Sequence, residues 1–393
     1  KNHFACLILF LFTCNTLMQA AIDRKALVNR NNPNVNAFDS LASLSVGNGE
    51  FAFTVDATGL QTFPQKYNSG VPLGTQSQWG WHSFANPNNY LHSETLKNYN
   101  FRGKEEPYST QVNGTERQKG ATEWFRVNQH RLHLGIIGFE IDSTYLNKIT
   151  DIKQELQLWK GEIISHFNLS GKPVQVETTC HPQKDLIAAK INSTAHLGIK
   201  FHFPYPTGEH SDDACDWNSN GKHSTTLVNQ TTNSALLERK IDATTYFVQI
   251  QWEGSATLIE KEKNYFVLQP TTDDFAFTAA FLPGKPGEMV QPTVAETQLA
   301  SYNYWDSFWT KGGVVDFSQC KDKRAPELER RVVLSQYLLA IQCAGSVPPQ
   351  ETGLTYNSWY GKFHLEMIWW HEAQFALWGR SDLLERSLGW YNK

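Results

Sequence analysis

Short segments in which apolar and polar residues alternate follow one another from Ile22 to about Pro283, with turn-forming residues between them. Alternation with a period of two predicts β-strands that bury one face. The predicted strands are a hairpin over 44–56 that turns at 47–49, and strands over 133–141, 154–158, 161–168, 174–179, 186–192, 197–203, 225–229, 234–241, 245–252, 255–259, 265–268 and 275–281. No helix is expected among them. Many short strands joined by turns favour antiparallel sheets packed face to face, so we predict one large antiparallel β-sandwich over residues 22–285.

The chain is too long for a single hydrophobic core. It has 393 residues, of which 40% are hydrophobic, and single cores rarely grow beyond about 250–300 residues. After residue 290 the apolar spacing changes from that of a strand to that of a helix. Residues 291–311 place five apolar side chains at helical spacing: Leu299, Tyr302, Trp305, Phe308 and Trp309. This pattern predicts a helix within a linker over residues 286–322.

Residues 323–393 are predicted to be helical. Pro326 near the first helical position, Glu327 in the first turn and Gly345 after the last turn delimit a helix over 325–344. A short strand is expected before it, over 314–317, and Ser381 is predicted to cap a further helix over 382–390. Three helices with strongly apolar faces need more partners than one sandwich edge offers. We therefore expect the natural protein to continue beyond Lys393.

The segment from Trp359 to Gly379 contains four tryptophans, two histidines and two glutamates, and its spacing predicts one helix with an entry turn. Aromatic rings beside carboxylates and imidazoles favour a sugar site, because rings stack on the apolar faces of a pyranose while a few polar groups bind its hydroxyls. An alternative is a buried stripe formed by Phe363, Met367, Trp370, Gln374 and Leu377. A metal site is not expected, because the sequence around His371 lacks the second histidine of the HExxH pattern.

The N-terminal residues predict export from the cytoplasm. Residues 1–21 have a short positive start, an apolar run over 4–12 and small residues before the expected cleavage point, the layout of a secretory signal. The protein is therefore expected to be secreted or periplasmic, with a possible lipid anchor through Cys14. Four cysteines follow, Cys180, Cys215, Cys320 and Cys343. One or two disulfides are permitted, but the spacing selects no pairing.

A second aromatic cluster lies at 78–84, in a region rich in turn-forming residues. Trp79, Trp81 and His82 are predicted to bind substrate from a loop, and packing at the sandwich edge is the alternative. Asp212, Asp213 and Asp216 do not follow the ligand spacing of a calcium loop. The formal net charge of −4 without any basic block argues against a nucleic-acid partner.

Three stretches carry a resemblance to a known architecture. QELQLWKGEIISHFNLSGKPVQVETTCHPQKDLIAAKI over 154–191 resembles the N-terminal super-sandwich of glycosidases whose catalytic domain is an (α/α)6 barrel, as in glycoside hydrolase families 65 and 95. SYNYWDSFWTKGGVVDFS over 301–318 looks like the linker that follows it in those families. The resemblance implies that residues 323–393 begin a barrel of this kind.

The Trp359–Gly379 segment is similar in position to the part of family 65 that carries a GH-x-FWDTE pattern. This chain has GKFHLEM instead: with a one-residue gap, Gly361 matches the glycine, Leu365 replaces the tryptophan and Glu366 replaces the aspartate that contacts sugar. The resemblance implies that Glu366 contacts substrate, with Lys362 and His364 beside it. Trp359, Trp370 and His371 complete the predicted substrate-binding set.

The general acid and base are expected beyond Lys393, since the resembling families place them on later loops of the barrel. Glu366 and Glu372 make a poor pair, because six residues of helix point their side chains about 120° apart. The resemblance implies a secreted glycoside hydrolase that inverts configuration, acts on oligosaccharide or polysaccharide and needs no cofactor. The alternatives are a carbohydrate phosphorylase and a non-catalytic carbohydrate-binding relative. A cell-surface sandwich without a ligand is disfavoured by the aromatic segment.

Overall fold

The structure, a computed structural model, describes residues 22–110, 113–288 and 290–392. The predicted signal over 1–21 and the predicted anchor Cys14 lie outside these residues. Among the helices that the structure describes, none is both long and apolar enough to cross a membrane. In the same residues Cys180, Cys215, Cys320 and Cys343 are free thiols.

Strands dominate the described chain up to residue 282. They are β1 (Asn34–Val35), β2 (Leu44–Gly47), β3 (Phe51–Val55), β4 (Thr75–Ser77), β5 (Trp81–His82), β6 (Leu96–Phe101), β7 (Lys104–Ser109), β8 (His130–Arg131), β9 (Ile136–Phe139), β10 (Ile149–Gln157), β11 (Glu162–Leu169), β12 (Lys172–Cys180), β13 (Leu186–Ser193), β14 (Ile199–His202), β15 (Tyr205–Pro206), β16 (Cys215–Asp216), β17 (His223–Gln230), β18 (Ser234–Ile241), β19 (Thr244–Glu253), β20 (Ala256–Glu262), β21 (Tyr265–Pro270) and β22 (Asp274–Leu282). The hairpin predicted at 44–56 is confirmed as β2 and β3, and the strand predicted over 234–241 coincides with β18.

The largest sheet has nine strands in the order β1-β10-β11-β12-β13-β22-β19-β18-β17. A four-stranded sheet has the order β20-β21-β14-β9, and a three-stranded sheet has the order β2-β3-β4. Three two-stranded ribbons pair β5 with β8, β6 with β7 and β15 with β16. All of these pairs are antiparallel, so the expected antiparallel architecture is confirmed.

The hydrophobic core lies between the nine-stranded sheet and the two smaller sheets. Phe277 of β22 meets Phe201 of β14 edge to face, with ring centroids 6.0 Å apart, and both side chains are fully buried. Phe281 of the same strand stacks on Phe51 of β3 at 5.6 Å. Edge-to-face and offset pairs at these distances are favourable arrangements for aromatic rings, so alternate residues of β22 hold both smaller sheets against the large one.

Seven α-helices accompany the sheets in the described residues: α1 (Arg24–Asn29), α2 (Glu116–Val127), α3 (Val294–Thr310), α4 (Ala325–Cys343), α5 (Ile368–His371), α6 (Ala373–Leu377) and α7 (Ser381–Leu388). The helices predicted over 291–311 and 325–344 are confirmed as α3 and α4. Helix α3 crosses the outer face of the nine-stranded sheet, where Trp309 Nε1 donates to Leu158 O at 2.8 Å and Ser301 Oγ donates to Lys160 O at 2.8 Å. Helix α4 packs on β2 and β3, and its Tyr337 ring lies 4.5 Å from that of Trp305.

Four local predictions are wrong. Helices α1 and α2 interrupt a region that was expected to contain only strands. No strand forms over 314–317, where the described backbone is irregular. Arg380 rather than Ser381 stands at the N-cap of α7. The Trp359–Gly379 segment is not one helix.

The Trp359–Gly379 segment consists of single turns separated by breaks. Two 3₁₀ turns, Trp359–Gly361 and Leu365–Met367, precede the short helices α5 and α6. Trp359 and Tyr360 have φ angles of 50° and 61°, in the left-handed region that no α-helix of L-residues uses. Glu372, between α5 and α6, departs from helical geometry with φ −121° and ψ −36°. The alternative of a buried stripe is also wrong at Trp370 and Leu377, which are 66% and 78% exposed.

The (α/α)6 barrel that the resemblance implies is not confirmed by helices α4 to α7, and it stays a prediction.

Candidate functional site

A cavity of about 830 Å³ lies where α2, the β6–β7 hairpin and the start of the Trp359–Gly379 segment meet. Its walls also include a loop residue, His210. The lining residues are His92, Thr95, Leu96, Ser109, Thr122, Phe125, Arg126, His210, Trp359, Tyr360, Lys362 and His364. A volume in this range is typical of small-molecule sites, and we refer to it below as the cavity.

One wall of the cavity is helix α2, which supplies Thr122, Phe125 and Arg126. The helix begins at a capping box: Thr115 Oγ1 accepts from Gln118 N, and Gln118 Oε1 accepts from Thr115 N at 2.9 Å. Such reciprocal bonds satisfy two backbone donors of the first turn. Gly120 occupies the middle of the helix because a Cβ there would lie 2.4 Å from the hydroxyl of Tyr90.

The opposite wall is a left-handed arc formed by Trp359, Tyr360 and Gly361, whose φ angles are 50°, 61° and 72°. For a non-glycine residue such a conformation costs on the order of 1–3 kcal/mol and is concentrated at functional sites. Tyr360 N donates to His210 O at 3.1 Å, and the His210 ring lies 4.4 Å from that of Trp359. The arc therefore directs two aromatic rings into the cavity.

Arg131 holds this arc from beneath. Its guanidinium is fully buried and donates to Ser77 O at 2.6 Å, to Gln350 Oε1 at 3.0 Å and to Gly361 O at 3.4 Å. Burial lowers the pKa of Arg131 to about 9, so the group still carries its charge at neutral pH. A Cβ on Gly361 would lie 2.3 Å from Arg131 Cβ, and only glycine permits this approach.

Lys362 joins the arc to the end of α2. Its ammonium donates to Phe125 O at 2.9 Å, to Arg126 O at 2.7 Å and to Asn128 O at 3.4 Å. A cation at these carbonyls satisfies the last turn of the helix and complements its dipole. Burial lowers the pKa of Lys362 to about 8. Lys362 thus links the two walls of the cavity.

His364 lies at the edge of the cavity between two carboxylates. Its Nε2 is 3.5 Å from Glu351 Oε2, and its Nδ1 is 3.8 Å from Glu366 Oε1. The imidazole ring also lies 5.2 Å from the ring of Trp359. The Glu351 side chain is half-buried, whereas that of Glu366 is 73% exposed. An aromatic wall with carboxylates and an imidazole at its rim has the groups that bind and orient sugar hydroxyls.

The structure brings together four of the predicted substrate-binding residues. Trp359, Lys362 and His364 line the cavity, and Glu366 adjoins it through His364.

The other five predicted residues lie elsewhere. Trp370 lines a separate groove of about 370 Å³ between α4 and α6. His371 is buried and its Nε2 bonds Glu351 O at 2.8 Å. Trp79 donates to Asp185 Oδ2 at 2.6 Å, and Trp81 covers the Arg131 guanidinium, 3.9 Å from its ring centroid. His82 is buried between His130 Nε2 at 3.0 Å and Asp242 Oδ2 at 2.9 Å.

Reasoning from sequence missed Arg126, Arg131, His210 and Glu351. The start of α2, which carries Arg126, could have been predicted, because Thr115 and Gln118 have the spacing of a capping box. For His210 and Glu351 no local signal exists, since each meets its partner only through the tertiary fold.

The described residues contain no evident metal site. Within the described ranges, no three His, Cys, Asp or Glu side chains are grouped so that they could hold a metal ion. Asp212 and Asp216 accept hydrogen bonds from backbone amides of their own turns. The fully buried Asp56 does the same.

Comparison with solved structures gives a likeness in fold to a carbohydrate-active protein. A protein assigned as a kojibiose phosphorylase, from the human microbiome, matches with a TM-score of 0.53 and 11% sequence identity. The match covers 84% of this chain and 44% of that protein, so this chain spans less than half of its length. At this identity the likeness shows a shared fold.

Two further matches are weaker. The family GH92 α-mannosidase of Bacteroides thetaiotaomicron, alone and in complex with mannoimidazole, matches with a TM-score of 0.32 and 7% identity. The matches cover 81% of this chain and 41% and 40% of the mannosidase. No family model matches the sequence, and the search of curated proteins found no match.

Proposed function

We propose that the chain binds an oligosaccharide or polysaccharide in the cavity and belongs to a secreted glycoside hydrolase that cleaves with inversion. The observation that carries the proposal is the convergence of Trp359 and Tyr360 with His364 and its two carboxylates at one cavity. Glu366 contacts the sugar in this scheme. The fold shared with a protein assigned as a kojibiose phosphorylase supports it, because that protein acts in carbohydrate chemistry.

Inversion requires a carboxylic acid that protonates the leaving oxygen and a carboxylate that activates water on the opposite face of the sugar, roughly 6.5–9.5 Å apart. Glu351 and Glu366 flank opposite nitrogens of one imidazole, and we assign neither of them to acid or base. In the proposal these carboxylates position the sugar, and the reacting pair is unassigned.

Phosphorolysis is the second candidate, because the structural match is to a protein assigned as a phosphorylase. The two reactions share a sugar site and differ in the attacking group. Phosphate in place of water would yield a sugar phosphate.

The test is a product analysis on the protein at its full natural length. It is incubated with a panel of oligosaccharides, with and without inorganic phosphate, while the product anomers are followed by NMR. Free sugar of inverted configuration without phosphate is the expected result. Turnover only with phosphate would move the protein to the phosphorylases, and saturable binding without turnover would make it a binding protein.

Glu366→Gln is the variant that places the site. Its side chain is exposed and makes no close hydrogen bond in the described structure, so folding should be unaffected. We expect at least a tenfold loss of activity. The matched control is Glu385→Gln, an exposed glutamate on α7. Equal activity of both variants would remove Glu366 from the site.

A further inference from the structure

We propose that the cavity takes an acidic sugar, one that carries a carboxylate or sulfate group. The inference rests on the proposed function and narrows its substrate class. It follows from the positively charged side chains that line the cavity, because no carboxylate in the lining pairs with them.

The lining is cationic. Two of its side chains, Arg126 and Lys362, carry positive charge, three more are histidines (His92, His210 and His364), and none of the lining residues is an aspartate or glutamate. Neutral sugar sites use carboxylates to accept bonds from hydroxyl groups. Here the carboxylates Glu351 and Glu366 lie only at the rim, and the lining offers cationic donors without a carboxylate. Such a lining favours an oxyanion, since bonds to a charged acceptor are about twice as strong as neutral ones.

Arg126 is the group that is free to bind. Its one ion pair among the described residues is with Glu123 on the same helix, at 4.0 Å. The guanidinium also lies close enough to Tyr360 to act on the pKa of that phenol. The distance to Glu123 is too long for a strong ion pair, and the side chain is 45% exposed. By contrast, Arg117 on the same helix is held by Glu94 at 2.5 Å. The guanidinium fork of Arg126 can therefore meet a carboxylate or sulfate with two parallel bonds.

Lys362 adds a positive charge that no carboxylate among the described residues neutralises. Its donors are committed to three backbone carbonyls, and it forms no ion pair with any residue that the structure describes. Its positive charge is half-buried beside the aromatic wall, where solvent screens it less than at the surface. An anion in the cavity would supply the missing counter-charge.

The aromatic rings indicate that the anion belongs to a sugar. Trp359, Tyr360 and Phe125 offer ring faces and edges, which a free inorganic ion does not use but which can pack on the apolar faces of a pyranose.

The carboxylates around the cavity do not cancel this charge. Glu351 and Glu366 lie at the rim beside His364, at 3.5 and 3.8 Å from its ring nitrogens, and neither lines the cavity. Glu123 and Glu209 lie close enough to raise the pKa of Tyr360 together with its burial, but neither lines the cavity. The charge that a ligand meets inside is therefore that of Arg126 and Lys362.

The test compares matched neutral and acidic oligosaccharides by isothermal titration calorimetry on the full-length protein. Hexuronate oligomers and sulfated oligomers are each paired with the neutral hexose oligomer of the same linkage. Inorganic sulfate and phosphate are titrated separately. We expect one acidic series to bind at least tenfold more tightly than its neutral partner, with affinity that falls as salt is added.

Arg126→Gln should reduce this preference, measured as the ratio of acidic to neutral affinity, about tenfold, as loss of a charge-assisted bond does. Lys119→Gln removes an exposed cation from the same helix outside the cavity and should leave this preference unchanged.

Three results would overturn the inference. Equal binding of neutral and acidic oligomers would refute it while the proposed function stands. Binding of inorganic phosphate or sulfate as tight as that of the acidic sugar would make the cavity a free-anion site. Absence of binding by any sugar would refute the proposed function as well.

Discussion

The nine-stranded sheet and the Trp359–Gly379 segment are both rich in large apolar residues but use them differently. Phe277 of β22 is fully buried, whereas Trp369 and Trp370 are 65% and 66% exposed. Strands of the sheet bury one face through a repeat of two residues. The segment breaks into single turns, so its aromatic side chains cannot form one buried stripe. Apolar content alone therefore does not predict burial. Whether the side chains are buried depends on whether the backbone places them on one face.

Stability provides the largest contrast between the two regions. Phe277→Ala should lower the free energy of unfolding by about 3–5 kcal/mol, because it leaves a cavity against Phe201. Trp370→Ala, at an exposed position, should change it by no more than about 0.5 kcal/mol. Chemical denaturation of the 393-residue chain measures both. A similar loss in the two variants would mean that Trp370 packs as core residues do.

Buried cations give the next contrast. Arg131 supports the cavity, while Arg239 is buried within the sandwich, where it donates to Pro204 O at 3.0 Å and to Thr225 Oγ1 at 2.8 Å. Replacing either with Gln should cost about 1–3 kcal/mol, because polar partners remain buried without bonds.

Sugar binding separates these two arginine variants. Arg131→Gln frees the carbonyl of Gly361 and should weaken binding about tenfold beyond the change in folded fraction, whereas Arg239→Gln should not. Titration calorimetry on the folded fraction makes the comparison. Equal affinities would show that Arg131 does not position the arc.

The smallest effect is a pH dependence. Burial lowers the pKa of Lys362 to about 8, so its ammonium is charged below that pH and loses its proton as pH rises above it. Affinity for an acidic sugar should therefore fall severalfold between pH 7 and pH 9. Lys362→Arg keeps the charge across this range and should remove the decline. An identical decline in that variant would assign the effect to another group.

The sandwich could be predicted from sequence because each strand carries its own signal. Ser234–Ile241 was predicted with its exact bounds, and α3 and α4 followed from apolar spacing and from Pro326. These signals are local: a period of two or of 3.6 and a terminating residue lie within one short window. Within the described residues after α4, no local sequence pattern of this kind identifies a helical barrel.

The cavity could be predicted only in part. Trp359 was predicted from the aromatic content of its segment, and Lys362 and His364 were predicted through the resemblance to family 65; the structure places the three together. The entry turn predicted at the start of the segment is present as the 3₁₀ turn Trp359–Gly361, but the positive φ angles of Trp359 and Tyr360 were missed. Arg131 and His210 were missed because they are more than 140 residues away along the chain. Long-range partners of this kind have no periodic signature.

The claim that the cavity binds the sugar is tested most directly by two tryptophans that were both predicted to bind substrate. Trp359 lines the cavity, and Trp370 lies in the separate groove beside α4. Titration calorimetry of the bound oligosaccharide against Trp359→Ala and Trp370→Ala compares them in the same protein. Loss of a stacking ring should weaken the Trp359 variant about tenfold or more, since an aromatic contact is worth about 0.5–1.5 kcal/mol beyond its buried area. The Trp370 variant should stay within about twofold. The reverse result would place the sugar in the groove and contradict the assignment of the cavity.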